Sequence, residues 1–292
     1  MINSDNALDI ALEMANGELF LVEVATHVYR SCPRLSQSEL KLISDKSPAH
    51  MMYQKAHPRS ASEEMKLGTA AHMAILEPDR FAETYEEEKL VNKRTKKGRE
   101  ELIEAQKAAF KERKIILPGD RLEQARAIAR EIRAHPVASH MLRGGVAERA
   151  SFARVHGVDA KILSDYYLPN AHELIDLKTT KCASLNDFQR DIREYRYHWQ
   201  AAWYSDVIEK LTGKMPTFKI IAIESAPPYC TAIYEIDFDL MSIARREIME
   251  ALAKLQTARE SGWYGYPLQV QRVSARHWEW ERFKEKLQDA GA

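Results

Sequence analysis

The stretch that most constrains this chain runs from Ala150 to Thr180. Ala150–Leu163 alternates apolar and polar residues on either side of Gly157, the period-two pattern of a β-hairpin. A turn at Pro169-Asn170 follows, and Glu173-Leu-Ile-Asp-Leu-Lys178 reads as a third strand. Residues i and i+2 share a strand face, so Asp176 and Lys178 are expected to point the same way. Asp165 stands where the preceding strand is expected to end, and the turn can return it beside Asp176. Two carboxylates and one ammonium then converge at one end of a sheet.

Those residue types suit metal-dependent hydrolysis. A hard cation such as Mg²⁺ takes oxygen ligands and keeps several waters, so one or two carboxylates suffice. An ammonium nearby can orient a hydroxide or offset charge developing on a phosphate. The same carboxylates favour the charged form of Lys178, making it an electrostatic partner more than a general base. Spacing alone leaves a second reading open, a hairpin that carries ordinary surface charges.

Upstream, Ser36-Gln-Ser-Glu39 is a capping box that places a helix over Gln37–Ile43, and Ser47-Pro48 starts another. Pro58–Glu63 is a polar connection. A helix over Met65–Glu77 carries Gly68, Ala70, Ala71 and Ala74, a density of small residues that predicts close packing, and it stops before Pro78. His72 lies on it; by itself such a histidine reads as a core residue. Val91–Arg99 is the most basic window and reads equally as a solvated loop or a phosphate track. It leads into a helix over Arg99–Lys114. Helices over Pro118–His135, with Glu123 and Arg126 paired on its surface, and Pro136–Leu142 complete this half, and Glu148 precedes the hairpin.

Downstream, helices are expected over Ser184–Ile192 and Tyr195–Leu211, the second placing Gln200 and Tyr204 on one face. Trp199, Trp203 and Tyr204 read either as core aromatics or as stacking platforms for unpaired bases. Strands over Phe218–Glu224 and Tyr229–Ile236 follow, then a long helix, Leu240–Arg259, and an aromatic turn, Trp263–Pro267. A last helix, Ser274–Leu287, is expected to pack back through Trp278 and Phe283. Residues 1–35, with an amphipathic stretch over Ala7–Met14 and a mixed segment over Gly17–Val28, have no assigned role beyond packing or assembly.

Forty-three basic residues balance 43 acidic ones, so no global positive field favours nucleic acid. A DNA footprint must be a local patch or the lining of an assembled channel. Cys32, Cys182 and Cys230 are odd in number and form no C-x-x-C pair, which argues against a zinc site or disulfide framework. Asp5, Asp9 and Glu13 do not fit a signal peptide, and no run reaches the roughly 20 apolar residues that span a bilayer. A cytoplasmic protein without a membrane partner is expected. Walker, G-x-G-x-x-G and G-x-S-x-G motifs are all missing from the sequence.

Asp165, ten residues, then Asp176-Leu-Lys178 resembles the active-site signature of the PD-(D/E)XK nuclease superfamily. The flanks are similar to its exodeoxyribonuclease VIII (RecE-type) branch: Lys66-Leu-Gly-Thr-Ala-Ala-His72 with Leu76-Glu-Pro78, then Glu148–Phe152, Arg196–Asp206 and Trp263-Tyr-Gly-Tyr266. Ser164 departs from the proline in the superfamily name, a residue that shapes backbone and binds nothing. The resemblance runs from about residue 36 to 280. It implies an α/β restriction-endonuclease-like core, a central mixed sheet flanked by helices, with an added N-terminal helical portion; residues 36–292 form the exonuclease domain and 1–35 an extension.

The resemblance further implies a Mg²⁺-dependent exonuclease, Mn²⁺ substituting, that acts on ends of linear double-stranded DNA. Such enzymes degrade one strand 5′ to 3′ and leave 3′ single strands for recombination. Asp165, Asp176 and His72 are the implied metal ligands, joined by the Leu177 carbonyl. Lys178 positions or stabilises the attacking hydroxide; Glu148, Gln200 and Tyr204 support the site. A homo-oligomeric ring, a tetramer above all, and a single-strand annealing protein are the implied partners. Two alternatives remain at this point: an endonuclease or single-strand-specific nuclease on the same fold, and a catalytically silent DNA-binding or assembly module.

Overall fold

A computed structural model describes residues 18–88, 91–92 and 94–290. The stretch over Ala7–Met14, with Gly17 and Lys93, lies outside the described residues. The chain opens with β1 (Leu19–Val22), α1 (Thr26–Ser31), α2 (Gln37–Asp45), α3 (Pro48–Ala56), α4 (Glu63–Leu76) and α5 (Pro78–Thr84). Then come β2 (Tyr85–Glu87), α6 (Lys96–Lys111), β3 (Ile115–Leu117), α7 (Gly119–Ala134) and α8 (Pro136–Met141). Three strands follow, β4 (Val146–Val155), β5 (Val158–Leu168) and β6 (Glu173–Thr180). The remainder is α9 (Leu185–Glu194), α10 (Tyr197–Thr212), β7 (Thr217–Glu224), β8 (Thr231–Glu235), α11 (Phe238–Ser261) and α12 (His277–Ala290).

Side-chain caps set most of the helix starts. Ser36 and Glu39 form the expected capping box, and Ser47 accepts from the His50 amide with Pro48 at the first helical position. Ser62, Thr95, Ser184 and Asp237 cap α4, α6, α9 and α11 in the same way. The Arg126 pairing with Glu123 is loose, at 3.9 Å; Arg130 approaches the same carboxylate at 2.8 Å.

Six strands form one sheet in the order β1-β4-β5-β6-β7-β8. Only β6 and β7 run parallel within it, so the sheet is mixed, as expected. Helices cover both faces. On one, Leu40, Phe188, Trp199 and Ile248 of α2, α9, α10 and α11 pack on Ile162, Leu174 and Ile220. On the other, Leu67 and Ala71 of α4 and Ile128 of α7 pack on Ile175, Leu177 and Ile221. Strand β7 feeds Ile220 and Ala222 to one layer and Ile221 and Ile223 to the other, which explains its nearly continuous apolar run. Trp199 and Trp203 are fully buried and serve as core. Strand β1 adds to the sheet edge against β4, and α1 packs near Phe152.

One departure from expectation concerns packing. The final helix does not fold back: Trp278, Trp280 and Phe283 are about half exposed, and Trp280 stacks on Phe283 within the helix itself. An amphipathic stripe promises a contact but does not name its surface, and here the stripe stays about half exposed. The arginines and lysines of the basic window that are described, Arg94, Lys96, Lys97 and Arg99, are exposed around the start of α6.

Candidate functional site

The site begins where the sheet forks. Strands β5 and β6 share three pairs, Tyr166↔Ile175, Tyr167↔Leu174 and Leu168↔Glu173. Beyond them β5 continues only against β4, and β6 only against β7. Asp165 and Asp176 are the next residues in register, so they stand at the opening. Asp165 therefore lies inside β5 and not at its end, a correction to the sequence expectation. Its Oδ2 accepts the Leu177 amide at 2.8 Å, a side chain taking the place of the missing ladder bond. A strand residue turns its N–H and C=O toward the same neighbour, so the Leu177 carbonyl faces this opening too.

Glu148 is likewise inside its strand, β4, and not ahead of it. The pairs Ala147↔Tyr166 and Arg149↔Ser164 flank it, which sets Glu148 directly across from Asp165. Its φ of 50° is left-handed, a conformation that costs an L-residue about 1–3 kcal/mol and so calls for a compensating role. At this pair the alternation of both strands shifts by one residue. Val146 and Tyr167 face the α10 layer on one side of it; Ala153, Val155, Ala160 and Ile162 do so on the other. The ladder keeps its register through the pair, so the shift re-aims side chains in both strands without an inserted residue.

From the opposite layer, α4 presses on β6 at its small residues: a Cβ on Gly68 would lie 3.3 Å from Thr179 Oγ1. That approach carries His72 to the fork, where Nδ1 is 3.5 Å from Asp165 Oδ2. His72, Glu148 and Asp165 each offer one ligand atom, all within 4.8 Å of one another. Asp176 is engaged differently. Lys178 Nζ lies 2.6 Å from its Oδ2, and the Gln200 amide of α10 donates to its Oδ1. Asp176 and Lys178 do share a face, and the Tyr197 ring lies under Lys178, its centroid 4.9 Å from Nζ.

Burial and mutual repulsion distort the ionisation of the group. Burial, then Asp165, Glu77 and Asp176, push Glu148 up to about 8 against the pull of Arg80. Burial raises Asp176 to about 6 although Lys178 pulls it down, and burial raises Asp165 despite Lys178 and the Leu177 amide. For His72, burial and Lys178 lower the imidazole to about 4, so it is neutral and able to ligate. Burial opposes the Lys178 charge, but Asp176 and Asp165 outweigh it and hold the ammonium above its ordinary value. Burial raises all three carboxylates, neighbouring carboxylates add to it at Glu148 and Asp176, and a bound cation would oppose both effects. Two carboxylates and a neutral imidazole suit a divalent ion, with the imidazole widening the choice beyond Mg²⁺.

Every sequence-predicted site residue thus has a place. His72, Glu148 and Asp165 form one cluster, and Asp176, Lys178 and Gln200 another beside it, with Leu177 between. Tyr204 is partly buried and packs edge-on against Phe218, its hydroxyl acted on by the Leu163 backbone. Three neighbours were not singled out from sequence. Tyr197 shares the α10 face of Gln200 by an i,i+3 spacing that was there to be read. Glu77 and Arg80, ion-paired at 2.9 Å, act on Glu148 from the start of α5; Glu77 lies in the family-like Leu76-Glu-Pro78 piece, and Arg80 gave no signal.

A sheet that opens over an acidic cluster with an adjoining Asp-x-Lys defines the PD-(D/E)XK class of fold. A family model described as a PDDEXK-like domain of unknown function, DUF3799, matches residues 36–263, more than half of the chain. The chain belongs to that family, within the PD-(D/E)XK nuclease superfamily. No curated protein matches it in sequence. A crystal structure of a "putative exonuclease" from Eubacterium rectale superposes with a TM-score of 0.61 over 87% of this chain and 97% of that one. Their identity is 14%, so the likeness is one of fold. The structure of SSO0001, at 17% identity, covers 52% of this chain and 69% of its own; its TM-score of 0.27 carries no argument. Among the described residues no helix is long and apolar enough to cross a membrane.

Proposed function

We propose that this protein is a Mg²⁺-dependent exonuclease that degrades linear double-stranded DNA from its ends, 5′ to 3′, and leaves 3′ single strands for recombination. The observation that carries the reading is the pairing of Lys178 with Asp176 beside the His72, Glu148 and Asp165 cluster. His72, Glu148 and Asp165 would hold the cation, with the Leu177 carbonyl and Asp176 as further candidate ligands. A divalent ion bound there supplies polarisation of the phosphodiester and a more acidic water. Asp176 anchors Lys178, Gln200 fixes the Asp176 carboxylate, and the ammonium offsets charge that develops on the phosphate. Mn²⁺ substitutes for Mg²⁺.

The subunit works in a homo-oligomeric ring, a tetramer by preference, and hands its single strand to an annealing protein. The balanced charge speaks against a DNA partner for a lone subunit, and a ring answers that objection, since a neutral subunit can still turn a basic face to a channel. The test is digestion of end-labelled linear duplex and of closed circular DNA, with and without Mg²⁺, alongside Asp176→Ala. Metal-dependent loss from 5′ ends that spares the circle and vanishes in the variant is the expected result. A nicked or linearised circle would replace the exonuclease with an endonuclease, and DNA bound but intact in every lane would leave a binding module.

A further inference from the structure

Lys178 is held from two sides. The Asp176 carboxylate lies 2.6 Å from Nζ, and the Tyr197 ring centroid lies 4.9 Å from it. A carboxylate alone fixes one distance and leaves a flexible four-carbon stem free to swing about it. An aromatic face removes much of that freedom, because the ring attracts a cation along its normal. Tyr197 is itself braced, with the Phe188 ring 6.0 Å away and the Tyr195 ring 5.6 Å away. Phe188 is fully buried, so the brace reaches into the core. One face of α10 therefore carries both the ring under Lys178 and, one turn on, the Gln200 amide that fixes Asp176.

We propose that Tyr197 is a positioning residue whose aromatic face aims the Lys178 ammonium at the scissile phosphodiester, acting through the ring and not the hydroxyl. The inference rests on the nuclease reading above and adds a residue to it. It predicts that Tyr197→Phe preserves the function and that a residue of similar bulk without a ring does not.

Two measurements test it on the full chain. The first needs no turnover. With ¹³C-labelled lysine in metal-free protein, the Lys178 side-chain methylene protons nearest Nζ are expected upfield, shifted by the ring. Tyr197→Phe keeps that shift; Tyr197→Leu and Tyr197→Met lose it. The second is cleavage of linear duplex with Mg²⁺ at varied DNA concentration. Tyr197→Leu and Tyr197→Met are expected to lower kcat about three- to thirty-fold with KM for DNA unchanged, and Tyr197→Phe to stay within about two-fold. Equal losses in Tyr197→Phe and Tyr197→Met would overturn the assignment to the ring. A ringless variant that melts like wild type and cuts at its rate would overturn the positioning role. A wild type that cuts nothing would sink the nuclease reading and this inference with it, an outcome distinct from both.

Discussion

Glu148 and Asp165 face each other across the β4–β5 ladder, and theirs is the one in-register pair between Val146 and Val155 that the ladder omits. Two acids directly opposed on one strand pair repel, and burial makes the repulsion worse. The fold keeps them there nonetheless, in a left-handed conformation at Glu148. Under the proposed function, a cation between the two carboxylates would offset both costs.

A pH dependence follows for the metal-free protein. Glu148 rises from an ordinary 4.5 to about 8, so the folded state holds its proton more tightly than the unfolded chain. Its contribution is fully present below pH 4.5 and is lost as pH climbs through 8. Asp176, raised from 3.8 to about 6, acts in the same direction at lower pH. There it opposes His72, lowered from 6.5 to about 4, whose contribution is lost as pH falls. Between pH 6.5 and 8 Glu148 acts alone among these three. Melting in EDTA is expected to show stability declining over that window, and Glu148→Gln to flatten the decline. An equally steep decline in the variant would mean that another group is responsible.

A bound cation reverses the effect. Mg²⁺ or Mn²⁺ is expected to raise the melting temperature most at pH 8, where it replaces the proton on Glu148. At a hundred times Kd the gain is about 2.7 kcal/mol. Asp165→Asn and Glu148→Gln should abolish it, and His72→Ala should weaken Mn²⁺ more than Mg²⁺ because imidazole is the softer ligand. A melting shift of the same size in Asp165→Asn would place the cation elsewhere.

Breaking the buried ion pair should harm stability and chemistry separately. Lys178→Met leaves the Asp176 carboxylate buried without its cation, at an expected cost of about 3 kcal/mol. Adding Asp176→Asn should restore much of that loss, because the uncompensated charge is then gone. Cleavage should stay down by about a hundred-fold or more in both. Denaturant melts of the two variants decide the first point, and recovered cleavage in the double variant would contradict the second.

The last helix offers a contrasting case. With Trp278, Trp280 and Phe283 about half exposed, deletion of residues 277–292 is expected to change the unfolding free energy of the isolated chain by less than about 0.5 kcal/mol. A larger loss by chemical denaturation at low protein concentration would show that these aromatics pack on the body.

How much of this was legible beforehand differs from element to element. The hairpin about Gly157 and the shared face of Asp176 and Lys178 follow from period-two alternation, which needs no tertiary information. So do the caps at Ser36 and Ser47, which are local. The facing of Glu148 and Asp165 was not legible, because Glu148 precedes the segment whose alternation defined the hairpin. Its left-handed backbone was hidden for a related reason: glutamate gives no hint of positive φ. The fork between β5 and β6 depends on where a ladder stops, and both sequences continue as strand past that point. The fate of α12 turned on a docking surface that no helical pattern specifies.

The fork has a consequence for when the site exists during folding. His72 arrives on α4 from one face of the sheet, and Gln200 and Tyr197 arrive on α10 from the other. Helix α4 is far from the hairpin in sequence, since more than seventy residues separate His72 from Glu148. A nascent or half-opened chain can form the β4–β5 hairpin early and still lack both walls of the site. The chemistry is thereby conditional on a completed fold, and loss of activity in denaturant should coincide with global unfolding.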